Sequence, residues 1–191
     1  VDNTPPSIVI STPAPDPTNA AFTATFTFDE SVTGFVDTEI LVTNAVVSLF
    51  AGSGTTYTAL ITPSGQGTVT VDVNALSAQD FVGNWNTAAI QLSRVYDSLA
   101  PTGDVTNPGN GATVSGTVNV TASASDALSG VEYVEFFINS VSVGTDYSTP
   151  YEYSWDTTSG YPNASYPIEA VIHDFAGNTY SDNDTTVDVS N

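Results

Sequence analysis

Apolar and polar residues alternate at every second position over most of the chain. In residues 22–28 Phe and Ala fall on one side and Thr on the other, and residues 69–73 and 118–124 repeat the pattern. A β-strand sends successive side chains to opposite faces, so this spacing predicts strands with one face in a core and one in water. Helical periodicity is almost absent, and Gly- and Ser-rich turn signals recur at short intervals. We therefore predict an all-β fold of the sandwich or barrel type.

The alternation and the turn signals locate about seven strands in each half of the chain. In the first half we predict strands near 7–11, 20–29, 38–43, 45–50, 55–62, 67–73 and 88–95. In the second half we predict them near 103–106, 116–124, 131–138, 141–145, 150–155, 166–173 and 179–189.

Two short motifs occur twice, at nearly the same separation. The segment that begins Asp2-Asn3 and reaches Ser7 recurs from Asp97 to Thr102, and Asp80-Phe81-Val82-Gly83-Asn84 recurs from Asp174 to Asn178. The two separations agree within one residue, which indicates an internal repeat of about 95 residues, the size of one two-sheet sandwich. We predict one domain over residues 1–96 and a second over 97–191, joined by a short linker that limits rotation.

These motifs carry a family resemblance. The first half resembles the bacterial Ig-like domains of large surface adhesins over residues 2–6, 26–35 and 80–84, although the family usually has Ser-Glu-Pro where this chain has Asp29-Glu30-Ser31. The second half resembles another bacterial Ig-like repeat over residues 107–116, 124–131, 134–136, 150–156 and 174–178.

The resemblance implies two tandem Ig-like β-sandwich domains with Greek-key connections. Such domains occur in secreted or cell-surface prokaryotic proteins as stalks, spacers or adhesive units, with neighbouring Ig-like domains or identical subunits as partners. They also occur as accessory modules of secreted polysaccharide-degrading enzymes. The matching motifs are mostly structural, so they support the assignment of the fold more strongly than that of the function.

The charge of the chain removes several classes of partner. It has 21 acidic residues and a single basic one, Arg94, for a formal net charge of −20. Nucleic acids and anionic membranes are bound through Lys and Arg, so neither is expected as a partner. No apolar run approaches the ~20 residues of a membrane-spanning helix. With neither Cys nor Lys, the chain forms no disulfide and no Lys–Asn isopeptide cross-link, whereas its acidity favours cations.

Calcium is the cofactor that the acidic loops favour. In an Ig-type sandwich the N-terminal lead-in and the loops after the second strand and before the last strand meet at one pole, and calcium accepts irregular sets of carboxylate and carbonyl oxygens. The competing interpretation is that each Asp-x-x-Gly-Asn motif is only a hairpin turn, with Asp capping its own loop and Gly adopting positive φ. The candidate ligands are Asp2, Asp29 or Glu30, and Asp80 in the first domain, and Asp97, Asp126 and Asp174 in the second.

Other chemistry-bearing residues favour structural roles. Trp155 and the Tyr-rich second half could stack on sugar rings, but a sandwich core needs the same residues. The segment Asp182–Asp184 lacks the Gly and the Glu of a calcium loop, which indicates a solvated terminal strand. His173 is the only His, and no nucleophile elbow, zinc cluster or phosphate loop accompanies it.

From these observations we predict a non-enzymatic structural segment of an extracellular prokaryotic protein. Within that class a filament subunit is possible, in which an exposed edge accepts a strand such as Ser7–Ser11 from a neighbour. The alternative from another class is a carbohydrate-binding accessory module that contacts glycans through Trp155.

Overall fold

A computed structural model describes residues 2–191 and divides them into two compact units. The first unit ends at Ser98 and the second runs from Leu99 to Asn191. The division lies two residues after the boundary predicted from the repeat.

The first unit consists of two antiparallel sheets. One sheet has the strand order β1-β2-β4 and the other β3-β5-β6, and one turn of 3₁₀ helix, Asp37–Glu39, precedes β3. The strands of this unit are β1 (Ile8–Ser11), β2 (Phe22–Val32), β3 (Ile40–Thr43), β4 (Ala45–Pro63), β5 (Gly67–Val73) and β6 (Leu92–Tyr96).

Strand β4 folds back on itself. Nineteen extended residues would separate its ends by roughly 60 Å, yet the amide of Ser64 donates to the carbonyl oxygen of Asn44 at 2.9 Å. The reversal lies near Gly52, where an added Cβ would fall 2.4 Å from the Thr56 carbonyl oxygen. The two arms correspond to the separate strands predicted near 45–50 and 55–62, so the first unit has seven strand segments within the described chain.

The second unit also has two sheets. The smaller has the order β12-β9-β7 and the larger β11-β10-β13-β14-β8. All pairs are antiparallel except β8 with β14, which run parallel. The strands are β7 (Thr102–Asn107), β8 (Thr113–Val114), β9 (Thr117–Ser125), β10 (Val131–Ile138), β11 (Val141–Asp146), β12 (Tyr151–Asp156), β13 (Ser165–Asp174) and β14 (Thr179–Val189).

Each unit buries its own core between its two sheets. In the first, Phe26 and Phe28 of β2 meet Phe35 and Tyr57, with ring centroids 5.1–6.1 Å apart. In the second, Trp155 is 1% exposed and meets the edge of other rings. Full burial of a large apolar side chain contributes about 1.5–3 kcal/mol, so these residues hold the sheets together. Each unit is therefore an Ig-like β-sandwich, as predicted.

The observed strand bounds differ from the predicted ones where residues that alternate in the sequence do not pair with a neighbouring strand. The last strand of the first unit begins at Leu92 rather than near residue 88, because Ile90 points into solvent and Ala89 bonds only to the Val73 carbonyl. The sequence does not predict strand β8, because a segment of two residues is too short to show alternation. It forms because it lies beside the end of β14.

Core truncation should act on the unit that carries it. Phe26→Ala removes a fully buried ring and should lower the free energy of unfolding of the first unit by about 3–5 kcal/mol. Differential scanning calorimetry measures this. The matched control is Phe81→Ala, because Phe81 is 98% exposed and its loss should cost about 0.5 kcal/mol or less. Equal losses for the two variants would contradict the assigned core.

Candidate metal centre

Three chain segments converge at one end of the first unit. These are the lead-in before β1, the connection from β2 to β3, and the long connection from β5 to β6. The last two are joined by paired backbone bonds, Thr33 N–H to Gln79 O at 2.7 Å and Gln79 N–H to Thr33 O at 3.0 Å. The side-chain amide of Asn84 donates to the carbonyl oxygen of Asp2 at 3.3 Å. Asp2 and Asp80, which lie on two of these segments, are thereby brought close to Glu30 near the end of β2.

Asp2, Glu30 and Asp80 form a group of carboxylates in this unit. One oxygen from each lies within 4.8 Å of the others. Two oxygens bound to one calcium ion at 2.3–2.6 Å are at most about 5 Å apart, so the spacing suits a shared ion. The group lies on three different elements, and it is the tertiary fold that assembles it.

Asp80 is the rigid member of the group. Its Oδ1 accepts the amide hydrogens of Val82, Gly83 and Asn84 at 2.7–2.9 Å, and its Oδ2 accepts from Asn84 Nδ2 at 2.7 Å. Burial raises the pKa of Asp80, but these hydrogen bonds together outweigh burial and hold the pKa below its usual value. Asp80 is therefore an anion fixed in place, with Oδ2 less fully hydrogen-bonded than Oδ1.

Glu30 is the member of the group that is destabilised by the neighbouring negative charges. Its pKa is raised above its ordinary value by partial desolvation and then by the negative charges of Asp80, Asp2 and Asp29. Like charges at short range disfavour ionisation. A bound cation would reverse this effect.

Asp29 lies next in sequence but has a different partner. Its two oxygens accept from the amide and the hydroxyl of Ser7, at 2.8 and 2.7 Å. The Ser7 hydroxyl bond is the main cause of a lowered pKa at Asp29. The sequence left Asp29 and Glu30 as alternatives, and the structure groups Glu30 with Asp2 and Asp80.

The second unit repeats the turn around Asp174. This residue is fully buried, and Asn178 donates to it through its backbone amide at 2.7 Å and its side chain at 2.8 Å. Gly177 has φ +89°, the left-handed conformation that favours glycine. Both Asp-x-x-Gly-Asn motifs are thus self-capped turns, as their structural interpretation predicted, and this role is compatible with metal binding.

Asp126 lies close to Asp174 in the second unit. Its Oδ1 accepts from the amides of Leu128 and Gly130 at 3.0 and 2.7 Å and from the Ser129 hydroxyl at 3.3 Å. Asp97, the third residue predicted for this group, belongs to the end of the first unit, where Gln66 Nε2 donates to its Oδ1 at 2.8 Å. Its participation in a site with Asp126 and Asp174 stays a prediction.

The structure confirms the favoured interpretation of Trp155 and corrects that of Asp182. Trp155 lies within the core, so a sugar ring cannot stack on it. Asp182 is buried rather than solvated, because its Oδ2 accepts the amide hydrogen of Val105 at 2.6 Å. Alternation could not show this, because the partner strand lies 77 residues away in sequence. His173 is half-buried and stacks on Tyr133 with ring centroids 4.2 Å apart.

Two family models match the chain. A bacterial Ig-like domain model matches residues 2–96 and a bacterial Ig domain model matches residues 101–170. The chain is therefore a tandem of two bacterial Ig-like domains, as the motifs indicated. A search among curated proteins finds no match.

Several solved structures are similar to the chain. Fibronectin(III)-like modules of CbhA from Clostridium thermocellum are 18% identical, with 94% of this chain and 92% of that chain covered and a TM-score of 0.49. An I-band fragment of titin is 13% identical, with coverages of 98% and 66% and a TM-score of 0.49. The adhesin InvE of Yersinia pseudotuberculosis is 13% identical, with coverages of 97% and 59% and a TM-score of 0.32.

The raised pKa of Glu30 predicts a pH dependence. An acid whose folded-state pKa is raised costs stability once it ionises, so without calcium the first unit should lose stability as pH rises from about 4.5. Glu30→Gln should abolish this loss and melt higher than the wild type at pH 7. Melting of both proteins in chelator from pH 4 to 7 tests this.

The matched control is Glu39→Gln, which removes the same charge outside the group. It should follow the wild-type pH profile. A constant difference between Glu30→Gln and wild type at every pH would contradict the assigned repulsion.

Proposed function

We propose that this chain is a load-bearing, non-enzymatic spacer segment of an extracellular prokaryotic surface protein. Bacterial Ig-like domains are typically non-catalytic and occur in extracellular or surface proteins, which supports the proposal. Among residues 2–191 no helix is long and apolar enough to cross a membrane. The observation that carries the proposal is the way in which each unit joins a segment near its start to its last strand.

In the second unit these two regions run parallel. Strand β8 pairs with the end of β14, with Asp188 N–H to Ala112 O and Ser190 N–H to Val114 O both at 2.9 Å. Tension on the two ends of the unit pulls β8 and β14 in opposite directions along their axes. Because these hydrogen bonds join two strands that are pulled past each other, they are loaded together rather than one after another. Such a clamp resists extension.

The first unit has the same arrangement in a shorter form. Thr18 forms a parallel bridge to Tyr96, with Thr18 N–H to Val95 O and Asp97 N–H to Thr18 O both at 2.9 Å. A third bond, Val95 N–H to Asp16 Oδ1 at 2.8 Å, extends it. In both units, parallel hydrogen bonds therefore connect a segment near the start to the last strand. Such bonds would bear a force applied to the two ends, which suits a protein that transmits force.

Calcium would stiffen the pole of the first unit. Asp2, Glu30 and Asp80 supply three hard oxygen ligands, and calcium would join the lead-in to the end of β2 and to the connection from β5 to β6. The raised pKa of Glu30 supports this, because the group has a like-charge cost that a divalent cation would remove.

The filament variant is less well supported by this fold. Ile8–Ser11, within the proposed donor segment, pairs with β2 of its own unit from Ile8↔Phe28 to Ser11↔Thr25. Donating it to a neighbour would first break this pairing. We therefore favour the spacer over the strand-exchanged filament.

The clamp predicts a selective mechanical effect. Ser190→Pro removes, at an exposed position, the amide that donates to Val114 O. In single-molecule force spectroscopy with handles at both ends, it should lower the unfolding force of the second unit and leave that of the first unit unchanged.

Ser190→Ala is the matched control, because it keeps the amide. It should unfold at the wild-type force. If Ser190→Pro also unfolded at the wild-type force, β8–β14 pairing would not be the clamp and the load-bearing proposal would fail.

Calcium binding predicts a thermal shift. A ligand that binds only the folded state raises its stability, so about 1 mM calcium should raise the melting temperature of the first unit above that in chelator. Magnesium at matched ionic strength controls for screening of the −20 charge.

The rise should be strongly reduced in Glu30→Gln and retained in Glu39→Gln. Equal responses to calcium and magnesium, or an undiminished response in Glu30→Gln, would remove the calcium site and leave the spacer proposal intact.

A further inference from the structure

The second unit has a polar cleft at the edge where its first and last strands meet. The cleft has a volume of about 370 Å³ and lies among β7, β9 and β14. Thr102 and Asp104 of β7, Ser123 and Ser125 of β9, and Tyr180 of β14 contribute to its lining. The cleft belongs neither to the core, nor to the β8–β14 clamp, nor to the carboxylate groups.

Tyr180 supplies an aromatic surface that remains accessible. Across β13 and β14 it pairs with Ile172, which is fully buried. The side chains of paired residues point to the same face of a sheet. The Tyr180 side chain therefore points to the core side of the sheet, at the edge of the sandwich. It is nevertheless 38% exposed. An aromatic ring in such a position offers an apolar face with a hydrogen-bonding hydroxyl at its end.

Gly103 lines the cleft without a side chain. A Cβ at this position would lie 2.0 Å from the Ser123 carbonyl oxygen and 2.7 Å from Cδ1 of Ile172. Strand β7 therefore approaches its neighbours too closely for any other residue. The lining at this point is main chain.

The Thr and Ser hydroxyls of the lining can both donate and accept hydrogen bonds. The hydroxyls of Thr102 and Ser125 lie 3.1 Å apart, and Ser123 Oγ accepts the amide hydrogen of Asp104 at 3.1 Å. Asp104 is exposed and adds a carboxylate. An accessible ring beside hydroxyls and one carboxylate is complementary to a pyranose, which has apolar C–H faces and a rim of hydroxyls.

The corresponding cleft of the first unit has the opposite character. It lies between β1 and the start of β6, and its lining is mostly aliphatic, with Ile8, Val9, Ile90 and Leu92 among its residues. It offers no aromatic ring and no carboxylate. The two repeats thus share an architecture but differ in chemistry at this edge, which makes the first unit an internal reference.

Charge decides which sugars fit. The lining contains no basic residue, and the chain has a net charge of −20, so uronic acids and sulfated sugars are repelled. We propose that the cleft formed by Thr102, Asp104, Ser125 and Tyr180 binds a neutral polysaccharide. This inference is separate from the load-bearing role, which would survive its failure.

The test is affinity gel electrophoresis of the whole chain in gels that contain a neutral polysaccharide. Xylan-, β-glucan- and mannan-containing gels are compared with polygalacturonate as the acidic reference. At least one neutral polymer should retard the wild type and polygalacturonate should not. Tyr180→Ala and Asp104→Asn should each raise the dissociation constant about tenfold, the change that corresponds to the loss of one good contact.

Matched controls separate the cleft from general surface effects. Tyr147→Ala removes a tyrosine that is exposed outside the cleft, and Asp184→Asn removes an exposed aspartate of β14. Both should be retarded like the wild type, and far-ultraviolet circular dichroism should show that each variant is folded. Absence of retardation by every neutral polymer, or equal retardation of a folded Tyr180→Ala, would overturn the proposal.

Discussion

Burial of alternate side chains between two sheets is the interaction on which each unit depends. Phe26, Phe28, Phe136 and Trp155 lie almost wholly out of water, and burial of such side chains is the largest favourable contribution to the fold. Because every strand contributes only one face to this core, the other face is left to Thr, Ser, Asn and Asp. The polar and acidic surface is thus the counterpart of the core.

Closing a sandwich in this way also decides where the connections lie. The loops that follow β2 and β5 meet the lead-in at one end, and carboxylates from the lead-in, the end of β2 and the loop after β5 come together there. The fold holds Asp80 in place with main-chain amides, whereas Glu30 has no such compensation and its pKa is raised. The same constraint that builds the core therefore creates an unbalanced negative site.

The edges of the two sandwiches have more than one use. In each unit a segment near the start crosses to the last strand and runs parallel with it. This crossing protects part of an edge that would otherwise be free to pair with another chain. It also leaves a cleft beside the first strand, aliphatic in the first unit and polar in the second. The two repeats therefore share this parallel pairing but differ in the chemistry of the adjacent cleft.

By itself the sequence determined the local features: the strands, the repeat of about 95 residues, the self-capped Asp80 and Asp174 turns and the absence of cysteine cross-links. These follow from alternation, spacing and turn chemistry, which act over a few residues. The tertiary structure alone decided that Glu30 rather than Asp29 joins the carboxylate group and that Asp182 bonds to Val105. Each of these depends on a partner distant in the chain, and a local pattern carries no information about which face or neighbour such a residue will meet.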